Sequence, residues 1–248
     1  MVSRTIKSLQ HPFVKYCVRL RTNKTFREQE GKVVIFGSTL ISELCSFAKI
    51  TTLLETYPHV TPAKADERYI ISEEIIKKIS GMPAPEPVAA IIEIPEEKDL
   101  SLCSRLLILD RISDPGNVGT LLRTALALGW DGVFLIDGCC DPFNDKALRA
   151  AKGSTFLLPL QSGSLERLNQ LLQKKPRHLY VADLNGSPFS TTAFKLPLAL
   201  ALGCEASGPS TEIKNRFEKI SIPMKGPTES LNVAIAGGIL LSHIEGAQ

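Results

Sequence analysis

Three apolar runs in the second half of the chain each break abruptly into a short polar patch, and this transition constrains the fold more than any other feature. RLLILD at 105–110 gives way to DPGNVGTLLRTA at 114–125, PLALAL at 197–202 leads into GCEASGPS ending at 210, and a run closing near Ile222 opens into PMKGPTESLNVA ending at 234. An unbroken apolar run is a strand buried on both faces, and Gly, Pro, Asn and Ser directly after it turn the chain into a loop. Open α/β sheets hold their ligands at such strand ends. The pattern predicts an α/β fold with a mostly parallel sheet and three loops able to converge on one pocket.

The remaining elements follow from the same signals. In the N-terminal part, VVIF at 33–36 reads as a strand, STLISELCSFAK at 38–49 as an amphipathic helix, and ITTLLE at 50–55 as a strand. Ser72 has the position of an N-cap, with Glu73 and Glu74 in a first turn where carboxylates favour the helix dipole, and VAAIIEI at 88–94 closes a small α/β unit. Pro95 and the charged EEKDL mark a linker over 95–103, giving domains at 1–95 and 103–248. Beyond RLLILD, a helix is expected from near Gly119 to Gly129, then strands at 132–136, 155–159, 178–182, 197–202 and 219–222. A last helix is expected from Ser230, as its N-cap, to about Ile244.

No run approaches 18 apolar residues and the N-terminus lacks the apolar core of a signal peptide, so a cytoplasmic protein without membrane contact is expected. Six cysteines without a C-x-x-C pair and four scattered histidines argue against a metal site or a disulfide scaffold; Cys139 and Cys140 read as small residues filling a turn. The net charge of +3 conceals an asymmetry: residues 1–32 carry +6, through Arg4, Lys7, Lys15, Arg19, Arg21, Lys24, Arg27 and Lys32 against Glu28 and Glu30, and the rest of the chain carries −3. A basic head on a mildly acidic body suits a polyanion such as RNA, with Arg19, Arg21 and Lys24 as candidate phosphate contacts; a solvated helix face is the alternative.

In the first patch, Asp114, Pro115, Gly116 and Asn117 form a tight turn whose helix presents free N–H groups to the loop space, and Asn117 and Arg123 can face the pocket or a phosphate beyond it. The second patch projects one carboxylate, Glu205, from among small residues. The third brings Glu229, Ser230, Leu231 and Asn232 to the start of the last helix. Glycine-rich phosphate loops, H-E-x-x-H and the nucleophile elbow are all missing from the sequence, which removes the usual support for nucleotide hydrolases, Rossmann dehydrogenases and α/β-hydrolases.

Taken in order, LDRISDPGNVGTLLRTALALG, KALRAAKGSTFLLP at 146–159, LALGCEASG and ISIPMKGPTESLNVAIAGGILL resemble the signature motifs of the SpoU (TrmH) family of RNA ribose 2′-O-methyltransferases, in the SPOUT superfamily, across about 105–245. Residues 1–94 more loosely resemble that family's substrate-binding domain, which is related to large-subunit ribosomal proteins. Phe36 stands where the pattern has Glu before Gly37, and Cys204 stands where Ser is common. The resemblance implies a C-terminal domain with a deep trefoil knot, a homodimer, and S-adenosylmethionine held near Gly203, Ile222 and Leu231. It implies a site in which Arg123 is the activating residue while Asn117, Glu205, Ser230 and Asn232 orient the reactants. Because a guanidinium is a poor base, Arg123 is read as clamping a phosphate and polarising the attacking hydroxyl, and the small residues Ala234, Gly237 and Gly238 suit close packing of the last helix. Ribosomal RNA is the implied substrate. The competing readings are a transfer-RNA ribose methyltransferase, a non-catalytic RNA-binding assembly protein that keeps the fold, and a Rossmann-type methyltransferase, which lacks its glycine-rich loop after LLILD.

Overall fold

The computed structural model of the chain describes residues 4–56, 62–204 and 207–246. It divides into two compact units, Met1–Glu96 with Phe143–Phe156, and Glu97–Pro142 with Leu157–Gln248.

In chain order the first part of the protein runs β1 (Arg4–Ile6), α1 (Pro12–Thr22), α2 (Lys24–Glu30), β2 (Lys32–Phe36), α3 (Ser38–Leu44), β3 (Ile50–Glu55), β4 (Glu67–Ile71), α4 (Glu73–Ser80) and β5 (Val88–Glu93). Its five strands are ordered β1-β4-β3-β5-β2. The β1, β4 and β3 pairings are parallel, and those of β3 with β5 and β5 with β2 are antiparallel. Helices α2 and α4 start where the sequence supplies a cap: Asn23 Oδ1 accepts Phe26 N at 2.9 Å, and Ser72 Oγ accepts Ile75 N at 3.4 Å. Gly31 and Gly81 then end α2 and α4 in the left-handed region, which favours a residue without Cβ. One face of the sheet packs Val34, Leu54 and Ile91 against Leu20, Ile75 and Ile79 of α1 and α4; the other packs Ile35, Leu53 and Ile92 against Ile41 and Leu44 of α3.

The second part runs β6 (Arg105–Asp110), α5 (Pro115–Ala127), β7 (Gly132–Ile136), α6 (Asp145–Ala151), α7 (Ser154–Leu157), β8 (Leu160–Gly163), α8 (Leu165–Lys174), β9 (His178–Pro188), β10 (Leu198–Gly203), α9 (Thr211–Arg216), β11 (Glu218–Ser221) and α10 (Val233–Gly246). Its strands are ordered β11-β9-β10-β6-β7-β8, and every pairing is parallel. Along β6, Leu107 and Leu109 enter a core with Leu121 of α5 and Leu240 of α10, while Leu106 and Ile108 enter a second core with Leu168 and Leu171 of α8. Burial on both faces is the reason the strand is apolar from Leu106 to Leu109.

Several elements differ from the sequence expectation. The apolar stretch 155–159 is the one-turn α7 with its exit, and the strand comes next, at Leu160–Gly163. So short a run carries no period to separate helix from strand. Helix α3 stops at Leu44, not at 49, and α5 begins four residues before Gly119, at Pro115. The segment Phe143–Phe156, within the range expected to be C-terminal, belongs to the first unit: Leu148 packs among Ile35 and Ile41, and Gly153 lies so close to Leu40 and Leu44 that an added Cβ would approach them at 3.2 and 3.4 Å.

Candidate active site

Strand β6 is central, with β7 on one side and β10 on the other, so the chain changes direction across the sheet there and the loops beyond the carboxyl ends of β6 and β10 diverge around a crevice. Asp110, the last residue of β6, is buried, and its Oδ2 accepts Ser210 N at 2.6 Å while its Oδ1 accepts Arg111 Nε at 3.1 Å. One carboxylate thus fastens the segment after β10 to the end of β6. Gly203 faces Asp110 across the ladder. A Cβ at Gly203 would run into Pro209 N and lie 2.5 Å from Gly208 C, so only glycine lets the chain double back this tightly.

Helix α5 starts from the Asp114 cap, whose Oδ1 accepts Asn117 N at 2.8 Å, with Pro115 in the first turn where its missing N–H costs nothing. Asn117 Oδ1 in turn accepts Asn232 Nδ2 at 3.0 Å. Asn232 Oδ1 accepts Ala234 N at 2.9 Å and Ile235 N at 3.3 Å, so Asn232 caps α10 and the expected cap, Ser230, does not. Helix α10 accordingly begins at Val233. The two helices approach closely at Gly237, where a Cβ would strike Leu121 Cδ2 and lie 2.8 Å from Leu202 Cδ1; Ala234 is buried beside it. Gly238, expected to serve the same packing, has no neighbour within 4 Å of its Cβ position.

A cavity of about 470 Å³ opens at the ends of β9, β10 and β11, and Gly203, Ile222, Ser230 and Leu231 line it together. Asn117 and Asn232 lie outside this lining, although Asn232 sits between Leu231 and Val233, both of which belong to it. Arg123 is exposed on α5 and is not part of the lining. Six residues at 100° each turn it about 120° away from Asn117, so the two cannot share a helix face. Glu205 lies outside the described residues. Cys139 donates to Leu109 O at 3.2 Å, and burial pushes its thiol up to about 12, which suits the expected filling role and not a nucleophile.

The basic head resolves into unlike parts. Arg19 is exposed with its guanidinium 3.8 Å above the centre of the Phe26 ring, Arg21 lies against the Gly81 turn, and Lys24 is exposed and 3.7 Å from Glu28. Arg27, counted in the sequence among the charges of the head, is 3% exposed, and its Nη1 donates to Leu20 O and Arg21 O at 2.8 and 2.9 Å. It is a structural cap on the end of α1. The sequence reading missed this, together with Asp110, Asp183 and Lys214 of the site. An acid closing the apolar run RLLILD was the available signal for Asp110; nothing local marks the other three.

Residues 104–242 match the model of the SpoU rRNA Methylase family. The chain belongs to that family. It is 32% identical, over 98% of its length and 100% of the relative's, to the 23S rRNA (guanosine(2553)-2′-O)-methyltransferase RlmP of Bacillus subtilis. Among solved structures it is similar to an AdoMet-bound rRNA methyltransferase from Sinorhizobium meliloti, with a TM-score of 0.89, 28% identity and 98% of each chain covered. It is also similar to a putative RNA methyltransferase of the TrmH family from Porphyromonas gingivalis, with a TM-score of 0.82, 30% identity, and 96% and 98% covered. No helix among the described residues is long and apolar enough to cross a membrane.

Proposed function

We propose that this SpoU-family protein transfers a methyl group from S-adenosylmethionine to a ribose 2′-hydroxyl of ribosomal RNA. The observation that carries this is the cavity bounded by Gly203, Ile222 and Leu231 next to the Asn117–Asn232 hydrogen bond. Its size is that of a small-molecule site, and its wall mixes apolar side chains with the backbone of the tight reversal at Gly203, a combination that suits a nucleoside. Such a wall fits an adenosyl cofactor, whose bound sulfonium supplies an electrophilic methyl. Ribosomal RNA is favoured because similarity to rRNA methyltransferases extends over nearly the whole chain, including the first unit.

A 2′-hydroxyl is a poor nucleophile until its proton begins to leave, so alignment and proton removal must provide the rate. In this reading the backbone near Gly203, Ile222 and Leu231 holds the adenine. Asn117 and Asn232 orient the groups at the paired helix starts, Ser230 offers a hydroxyl free of capping duty, and Glu205 supplies a carboxylate. Arg123 stands outside the cavity with its planar fork exposed, the disposition a phosphate clamp needs; a guanidinium with pKa above ~12 is a poor base. Residues 1–95 serve as the RNA-binding module through Arg19, Arg21 and Lys24. The protein works in the cytoplasm as a homodimer whose C-terminal domain carries a trefoil knot; Ile235 and Ile239, exposed one turn apart on α10, support the dimer.

Incubation with methyl-labelled S-adenosylmethionine and ribosomal RNA, followed by mapping of 2′-O-methyl positions, is expected to give one saturable site. Protein that binds the cofactor yet labels transfer RNA and leaves ribosomal RNA untouched would overturn the substrate assignment.

A further inference from the structure

The cavity wall carries one charged pair to which the roles above give no work. Asp183 lies on β9 beyond its last pairing with β10, which ends at Val181, and Lys214 lies on α9; both line the cavity. Asp183 Oδ2 and Lys214 Nζ are 3.4 Å apart, and the Asp183 side chain is 7% exposed. Asp183 Oδ1 also accepts Asn185 N at 2.9 Å. An ionised carboxylate has about four acceptor positions, so these two partners leave capacity on a buried group at the edge of an open cavity, where unfilled capacity is costly. Glu229, the other carboxylate in the described wall, is exposed.

The position of Asp183 selects its ligand group. Strand β9 lies beyond β10 from β6, about 10 Å away at two strand spacings, and β6 is the strand whose loop delivers Asn117. With Asn117 orienting the reacting groups as proposed, β9 would face the nucleoside end of the cofactor. That end brings two adjacent neutral hydroxyl donors, for which a fixed carboxylate is the complementary acceptor. Resting on the cofactor role of this cavity, we propose that Asp183 is a specificity-determining residue that accepts hydrogen bonds from the vicinal hydroxyls of the adenosyl ribose, with Lys214 fixing the carboxylate from the opposite side.

Calorimetry with S-adenosylhomocysteine and its 2′,3′-dideoxyribose counterpart tests this. The wild-type protein should favour the diol by about 10- to 100-fold, as hydrogen bonds to a charged acceptor allow. Asp183→Ala should reduce that preference to within about 3-fold, and Lys214→Met should keep most of it. Should Asp183→Ala fail to fold, Asp183→Asn preserves the shape and should still cut the preference severalfold. A preference unchanged in the Asp183 variants, or lost in Lys214→Met while Asp183→Asn is normal, overturns the proposal. Wild-type protein that binds neither ligand would instead overturn the cofactor assignment of the cavity.

Discussion

The two sheets of this protein are built from similar strands but put them to different use. In the first unit β5 runs against both its neighbours, so the strand ends that carry loops are distributed over both edges, and ion pairs cross between its strands and their ends, as Lys49 pairs with Glu93 at 2.8 Å and Arg68 with Glu55 at 2.6 Å. In the second unit all six strands run the same way, and the loops after β6, β10 and β11 emerge at one edge. A parallel sheet concentrates chemistry at a single rim; a mixed sheet offers a surface. The second unit accordingly holds the cavity of the proposed cofactor site, and the first holds the cations proposed to meet RNA, of which Arg19 and Lys24 are exposed and Arg21 is half-buried.

The largest effect that should separate the two units is at Arg123. Arg123→Ala is expected to lower methyl transfer by at least ~100-fold, the scale of losing one preorganised donor, while calorimetry shows cofactor affinity within about 2-fold of wild type. Transfer near the wild-type rate would remove Arg123 from the reaction. Next comes packing under the rim: Gly237→Ala should destabilise by about 1–3 kcal/mol, because the added methyl collides with Leu121, whereas Gly238→Ala, facing open space, should be neutral or stabilise by up to ~1 kcal/mol. Urea melts of the pair check the contrast, and equal effects would refute the close approach.

A gentler contrast lies within the basic head. Replacing Arg19, Arg21 and Lys24 together by Ala should weaken RNA binding and lower its salt slope by up to ~0.7 to 0.9 per lost contact, with cofactor affinity unmoved. Arg27→Ala should instead cost about 1–3 kcal/mol of stability by stranding the Leu20 and Arg21 carbonyls, and it should change the salt slope little. At neutral pH the smallest effect is at Cys17, whose thiol burial pushes up to about 12. Unfolded chain loses this proton from pH ~8.5, and folded chain retains it, so stability should decline between there and pH 12. Cys17→Ala should flatten that decline in pH-dependent melts; a curve with the same slope would assign it elsewhere.

How much was legible in the sequence follows from how local each cause is. Strands β6, β7 and β10 and the Ser72 cap were readable because an apolar run or a capping side chain acts within a few residues. The start of α5 was misjudged although Asp114 and Pro115 announce it, since the turn and the first helical residues draw on the same amino acids. Ser230 and Asn232 were both eligible caps, and the choice was made by Asn117, 115 positions earlier. Arg27 looked like a surface cation because nothing adjacent reveals that its guanidinium points at the end of α1. Asp183 and Lys214 meet only once β9 and α9 are packed, which no spacing encodes.

The hydrogen bond from Ser210 N to Asp110 spans 100 positions of chain. At ~5–20 residues per second on the ribosome, Asp110 emerges roughly 5–20 s before the amide that completes it exists. During that interval β6 can pair with β7, but its buried carboxylate has no fastening to β10, and the rim is unfinished. An RNA-modifying protein born beside its proposed substrate thus acquires its pocket only after Ser210 has been made, and a nascent chain stalled before that residue would carry the basic head without the site it is meant to serve.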